Sequence, residues 1–257
     1  MSRLDRLRAT DLASRLAATL ELAAAEHPEA AEVDALRECL GGEAKVLQRR
    51  AAEAFAALHE RGVPIAPVLL AALDDAAPRQ RWGAAYALSR LGSPPQEIVP
   101  VVLESLGSED GDIRWAAAAI LVRMQASAAV VDALRGLLGR GNAAQRKMAA
   151  YCLRDMNARA PGVEPDLLAA LSDGEPRVRL AAMSSLTQLS SDRAALAARI
   201  TGLLDDADVG VRRTAAVVLG TLGARTDAVL TALRTAAASD DRSLQRAALR
   251  SLRLLKG

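Results

Sequence analysis

The sequence predicts an all-α fold: a right-handed α-solenoid of about seven helical hairpins behind an amino-terminal capping helix. Three observations carry this. First, the stretch Leu47-Gln48-Arg49-Arg50-Ala51-Ala52-Glu53-Ala54-Phe55-Ala56-Ala57-Leu58 returns six more times, with copies starting at Gln80, Ile113, Gln145, Val178, Val211 and Leu244. The interval is 33 residues, and 32 once. Second, a different segment keeps the same register: Val33-Asp34-Ala35-Leu36-Arg37 is matched by Val131-Asp132-Ala133-Leu134-Arg135, three periods later. Third, just over half the residues are hydrophobic, chiefly the strong helix formers Ala and Leu. A fixed period of this length marks units that bury their apolar faces only against their neighbours.

Residues 1–28 are expected to be a capping segment. Up to about residue 26 they read as one amphipathic helix, with Leu12, Leu16, Leu20 and Ala23 at helical spacing. Residues 29–257 then form the repeats, each a first helix, a polar turn and a second helix. Glycines in the turns (Gly107, Gly139, Gly174) are expected to end first helices in a left-handed conformation. Asp110, Asn142, Asp208 and Asp241 stand where they can cap the second helices. Pro78 and Pro176 fall near a first helical turn, where a missing amide costs nothing.

The motif resembles the HEAT repeats, in particular the short HEAT-like repeats of the phycobilin-lyase type. The likeness rests on Val-Arg-x-x-Ala-Ala-x-x-Leu-x-x-Leu, fullest in Val211-Arg212-Arg213-Thr214-Ala215-Ala216-Val217-Val218-Leu219-Gly220-Thr221-Leu222, and spans roughly residues 30–256. It is specific for fold and poor for function, because such folds host scaffolds, lyases and nucleic-acid enzymes alike.

Advancing 100° per residue sorts the motif positions. Positions 1, 5, 8, 9 and 12 form the core face. Position 6, Ala in five copies, suits close approach between repeats. Position 2 is Arg81, Arg114, Arg146, Arg179 and Arg212. These are read first as bonding caps or carbonyls between repeats, as the resemblance implies, and second as a ladder for an anion. Positions 3, 7 and 10 point away from the core, and the resemblance implies that the second helices line a concave groove. Four of the five aromatic residues, Trp82, Tyr86, Trp115 and Tyr151, fall on that outward stripe, with Lys147, Arg154, Arg123 and Arg90 on it or nearby. Large amphipathic rings are the usual anchors of binding surfaces. The competing reading is that the tryptophans pack across the groove. Arg242, Arg246, Arg250 and Arg253 on the last helix read as a solvated end face.

The two histidines, His27 and His59, lack metal-ligand partners in the sequence, and the turn carboxylates lack the spacing of a calcium loop. Neither Cys39 nor Cys152 has a histidine in register, so both are expected to be buried thiols of a reducing compartment, the cytoplasm. No phosphate loop or nucleophile elbow occurs. The expectation is therefore a non-catalytic scaffold that binds a protein partner through Trp82, Tyr86, Trp115, Lys147, Tyr151, Arg154 and Arg123, with no cofactor, no metal and no membrane span. The alternatives are a bilin lyase or chaperone stacking a tetrapyrrole on Trp82 and Trp115, and a HEAT-like DNA-binding protein or glycosylase using Asp155 or Glu53. A net charge of +2 argues against close tracking of phosphates.

Overall fold

The computed structural model describes residues 1–124 and 127–256, which are helical with no strand among them. The contacts divide the chain into two compact units, residues 1–124 and 125–257.

The amino-terminal unit begins with α1 (Arg3–Leu7) and α2 (Leu12–Ala23). The single helix expected here is two. Asp11 breaks it by accepting from the Ser14 amide and capping α2. The pair packs on the first repeat: the Arg3 guanidinium donates to both carboxylate oxygens of Glu32, and Leu7 is fully buried. Three hairpins follow. Their first helices are α3 (Ala30–Leu40), α5 (Ala66–Ala71) and α7 (Val99–Ser105). Their second helices are α4 (Lys45–Glu60), α6 (Pro78–Leu88) and α8 (Gly111–Arg123). The carboxy-terminal unit has four hairpins. Its first helices are α9 (Ala128–Arg140), α11 (Val163–Ala170), α13 (Arg193–Thr201) and α15 (Asp227–Ala237). Their partners are α10 (Ala143–Asp155), α12 (Pro176–Leu189), α14 (Val209–Leu222) and α16 (Arg242–Lys256).

The fifth motif position is alanine in all seven copies, from Ala51 to Ala248, and every one is fully buried. A side chain this small lets each second helix approach its neighbours closely, so the core closes with little aromatic volume. Position 6 behaves as expected in its five alanine copies, Ala52, Ala85, Ala118, Ala150 and Ala216, which are all buried, and Met183 is buried at the same position. The Ser185 hydroxyl donates to the Ala150 carbonyl at 2.8 Å, which shows how near α12 comes to α10.

The left-handed glycines are not where the sequence reading put them. Gly107, Gly139 and Gly174 all lack positive φ; the left-handed residues are Gly62, Gly92 and Gly223, just after second helices, with Asn157 in the same role after α10 and Gly162 before α11. Inside the hairpins the tight turn is made another way. First helices α5 and α13 wind into 3-10 segments at Ala72–Asp74 and Gly202–Asp205, which satisfy terminal carbonyls within fewer residues.

The expected caps form. Asn142 accepts from the Gln145 amide, Asp208 from that of Val211, Asp110 from that of Asp112, and Asp241 from that of Ser243. Pro78 and Pro176 are the first residues of α6 and α12. The position-2 arginines take the structural role. Each donates through Nη1 to one or two carbonyls of the turn before its own helix: Arg81 to Asp75 and Ala76, Arg114 to Ser108 and Glu109, Arg146 to Gly141, Arg179 to Asp173 and Gly174, and Arg212 to Asp206 and Ala207. In the carboxy-terminal unit the same guanidinium also reaches the next turn. Arg146 grips Asp173 with two bonds, at 2.7 and 2.8 Å, and Arg179 meets Asp206 at 2.6 Å.

Arg179 and Asp206 form the most enclosed of these pairs, with side chains 11% and 8% exposed. The Arg146 fork beside Asp173, opposed by burial and helped by the Glu175 amide, holds its carboxyl below the ordinary range. Burial works to raise Asp206, but Arg179, the Asp208 amide and the charge of Arg212 bring it lower as well. A carboxylate lowered in the folded state stabilises fully above its unfolded value, and that contribution is lost as pH falls through the folded value. The melting temperature should therefore drop below about pH 4. Asp173→Asn/Asp206→Asn should melt lower at neutral pH and vary less with acid. Arg179→Ala, which strands Asp206, should cost about 2–3 kcal/mol in denaturant unfolding.

Gly83 sits inside α6, where alanine normally stabilises a helix by about 1 kcal/mol. Here an added Cβ would lie 2.6 Å from both the carbonyl oxygen and the Cβ of Leu40 on α3. Gly83→Ala should instead destabilise by about 1–3 kcal/mol. Gly139→Ala, in α9 with nothing within 4 Å of the new methyl, should be neutral or stabilising. Equal melting shifts in the two variants would refute the close approach of α6 to α3.

Candidate functional site

The amino-terminal unit carries a cavity of about 910 Å³ where the beginnings of α4, α6 and α8 converge. Its lining joins the Trp82 and Tyr86 rings to Gly83, Ile113 and Ala116, with acidic and basic side chains among them. The rings of Trp82 and Tyr86 are 5.8 Å apart and tilted by 34°. The Arg90 guanidinium stands 5.7 Å from the Tyr86 ring centre, a cation–π distance. Arg123 on α8 donates to the Ser89 carbonyl at the end of α6 and ties the two helices together.

Trp82 and Trp115 hold the same motif position but differ in burial. Trp115 is 54% exposed, as the outward stripe requires. Trp82 is only 8% exposed, which corrects the expectation that both indoles face solvent. The cause is local. Gly83 draws α6 onto α3, and the starts of α4 and α8 wall the space around the ring. Position 10 departs from the outward pattern too. Ser89 is buried and donates to the Tyr86 carbonyl, while Gly220 lies against Ser251 of α16.

In the carboxy-terminal unit Tyr151 and Lys147 are half-buried on α10. The Arg154 guanidinium lies 4.8 Å from the Tyr151 ring centre and donates to Asp155 at 2.8 Å and to Ser184 of α12 at 2.9 Å. Its charge is therefore shared among a ring, a carboxylate and a hydroxyl. The two carboxylates proposed for chemistry are ion-paired, Asp155 with Arg154 and Glu53 with Arg50. On α16, Arg242, Arg246, Arg250 and Arg253 are all exposed.

Cys39 and Cys152 are free and buried. Burial pushes the Cys152 thiol up to about 12 and raises that of Cys39, against the pull of Arg15, so neither is poised as a nucleophile at neutral pH. Among the described residues no three His, Cys, Asp or Glu side chains gather to hold a metal ion, and no helix is long and apolar enough to cross a membrane.

One constellation escaped the sequence reading. The Lys45 ammonium lies 2.8 Å from Oδ2 of Asp110 and 2.8 Å from Oδ2 of Asp112. The partners are more than sixty residues apart, and no local spacing announces the meeting.

Helical hairpins repeated at constant interval, with arginines stapling one repeat to the next, define an α-helical repeat protein. Residues 66–154 and 164–253 match the family model for HEAT repeats, and the chain belongs to that family. No curated protein matches the chain. Among solved structures, an engineered protein aligns at 21% identity, 99% of this chain against 78% of that one, with a TM-score of 0.48. Human deoxyhypusine hydroxylase in complex with glycerol aligns at 18% identity, 99% against 94%, with a TM-score of 0.41. A chain in a homology model of the full-length AP-3 complex, in an intermediate open conformation, aligns at 13% identity with a TM-score of 0.59. That last likeness is one of fold; it takes in 97% of this chain, which spans about half (49%) of the other.

The burial difference yields a direct comparison. Trp82→Ala should destabilise by about 3 kcal/mol, as truncation of a packed indole does. Trp115→Ala should stay within about 0.5 kcal/mol of the parent. Denaturant unfolding of the two variants, followed by circular dichroism, checks both; matching losses would place the two indoles in one environment and contradict the structure.

Proposed function

We propose that the chain is a non-catalytic scaffold that holds a protein partner against the exposed sides of its second helices. The observation that carries this reading is Trp115, more than half exposed in a chain with five aromatic residues. Tryptophan is prominent among the residues that dominate interface energies. In the amino-terminal unit Tyr86 and Arg123 belong to the same surface. In the carboxy-terminal unit Lys147, Tyr151 and Arg154 form its counterpart. Tyr151 is already held by Arg154, so ordering it on binding costs little. Trp82 supports the surface from beneath and offers little of its own area.

The narrower likeness to phycobilin-lyase repeats is the weaker reading. A tetrapyrrole stacked on both tryptophans needs two open rings, and Trp82 is nearly closed. A DNA glycosylase needs a free central carboxylate, and Asp155 and Glu53 are both engaged. Two free buried thiols suit a reducing compartment such as the cytoplasm.

Affinity capture from the native cell, with crosslinking and mass spectrometry, tests the scaffold. The partner recovered by the parent chain should fall at least about tenfold with Trp115→Ala or Tyr151→Ala, the loss expected of an interface anchor. Undiminished recovery by both variants, at unchanged melting temperature, would remove these residues from the binding surface.

A further inference from the structure

Lys45 opens the second helix of the first repeat, and Asp110 and Asp112 stand at the start of the second helix of the third. Their ion pairs join two walls of the cavity that holds Trp82 and Tyr86. Lys45 and Asp112 are well exposed, so the link is one that water and salt weaken and another cation can replace. Asp110 uses one oxygen to cap α8 and keeps the other for the cation.

The lining also holds Glu43, Glu109, Arg49 and Arg79. With Lys45 in place, acids and bases nearly balance. With Lys45 swung away, four acids face two arginines, one of which, Arg79, already leans on Glu43 at 3.9 Å. The vacated site favours a cation beside an aromatic floor. The cavity measures about 910 Å³ with Lys45 in its place, which is room for a stretch of chain as well as a side chain. A guanidinium suits the cradle better than an ammonium, because its planar fork donates to two carboxylates at once and its flat face stacks on rings.

We propose that this cavity receives an arginine-bearing segment of a protein partner, whose guanidinium replaces the Lys45 ammonium between Asp110 and Asp112. Lys45 is then an internal stand-in that keeps the site closed to weak ligands. The proposal rests on the scaffold reading and names the chemistry of its partner.

Three pools of peptides of about nine residues, the length of a typical groove-bound segment, are passed over the immobilised full chain. Each is random except for a central arginine, glutamine or glutamate. The parent should retain the arginine pool at least about threefold over the glutamine pool, and the glutamate pool least, from charge complementarity. Lys45→Ala should raise arginine retention by about fivefold, since the site is no longer self-occupied. Asp112→Asn, at an exposed position, should leave the melting temperature unchanged and cancel the arginine excess. Equal retention of the three pools, a preference for glutamate, or an excess that survives Asp112→Asn would overturn the site. The scaffold reading is judged separately by the Trp115→Ala capture. A partner recovered there by a chain without arginine preference would keep that reading and remove this one.

Discussion

The structure depends on how closely helices approach one another. At the fifth motif position a methyl group is the largest side chain used, and all seven copies are buried without remainder. Helices that pack this near each other gain dispersion contacts along their whole length and leave no space for bulk. The scarcity of aromatic residues follows from that spacing. The same limit explains Gly83, where even a methyl would strike the Leu40 backbone, and Gly220, where it would strike Ser251.

Close packing fixes each hairpin but does not by itself join one turn to the next. The position-2 arginines do that. A guanidinium has enough donors to satisfy the carbonyls of its own turn and still reach a carboxylate 27 residues on, as Arg146 and Arg179 do. Asp173 and Asp206 are thus structural partners of a repeating cation, and their depressed titration is a consequence of that geometry. Charge that looks like a ladder awaiting an anion is already spent inside the fold.

What remains for function is what this lattice does not use. Trp115 is excluded from the core by its position and is more than half exposed. Tyr86 and Tyr151 carry stacked arginines at their faces. The Lys45–Asp110–Asp112 cluster links two walls of a cavity without being needed to fill it. Surface groups that the repeat does not require are the ones a partner can recognise.

The period, the helix pairs, the caps and the role of the arginines were legible in the sequence, because each depends on neighbours within one turn or one repeat. Helical spacing assigned the core face, and Asn142 and Asp208 cap as their places in the repeat imply. The sequence also placed Trp82 and Trp115 on one stripe, by helical angle. It could not separate them, because burial at equal angle is decided by how near the adjacent helices come, and that is set by a glycine and a backbone from another repeat. The break between α1 and α2 and the left-handed glycines between repeats were missed where competing local signals had equal weight. The cavity and its lysine were invisible, since Lys45 meets its carboxylates across two repeats. Short-range periodicity determined the architecture; packing between repeats decided which side chains stay open to a partner.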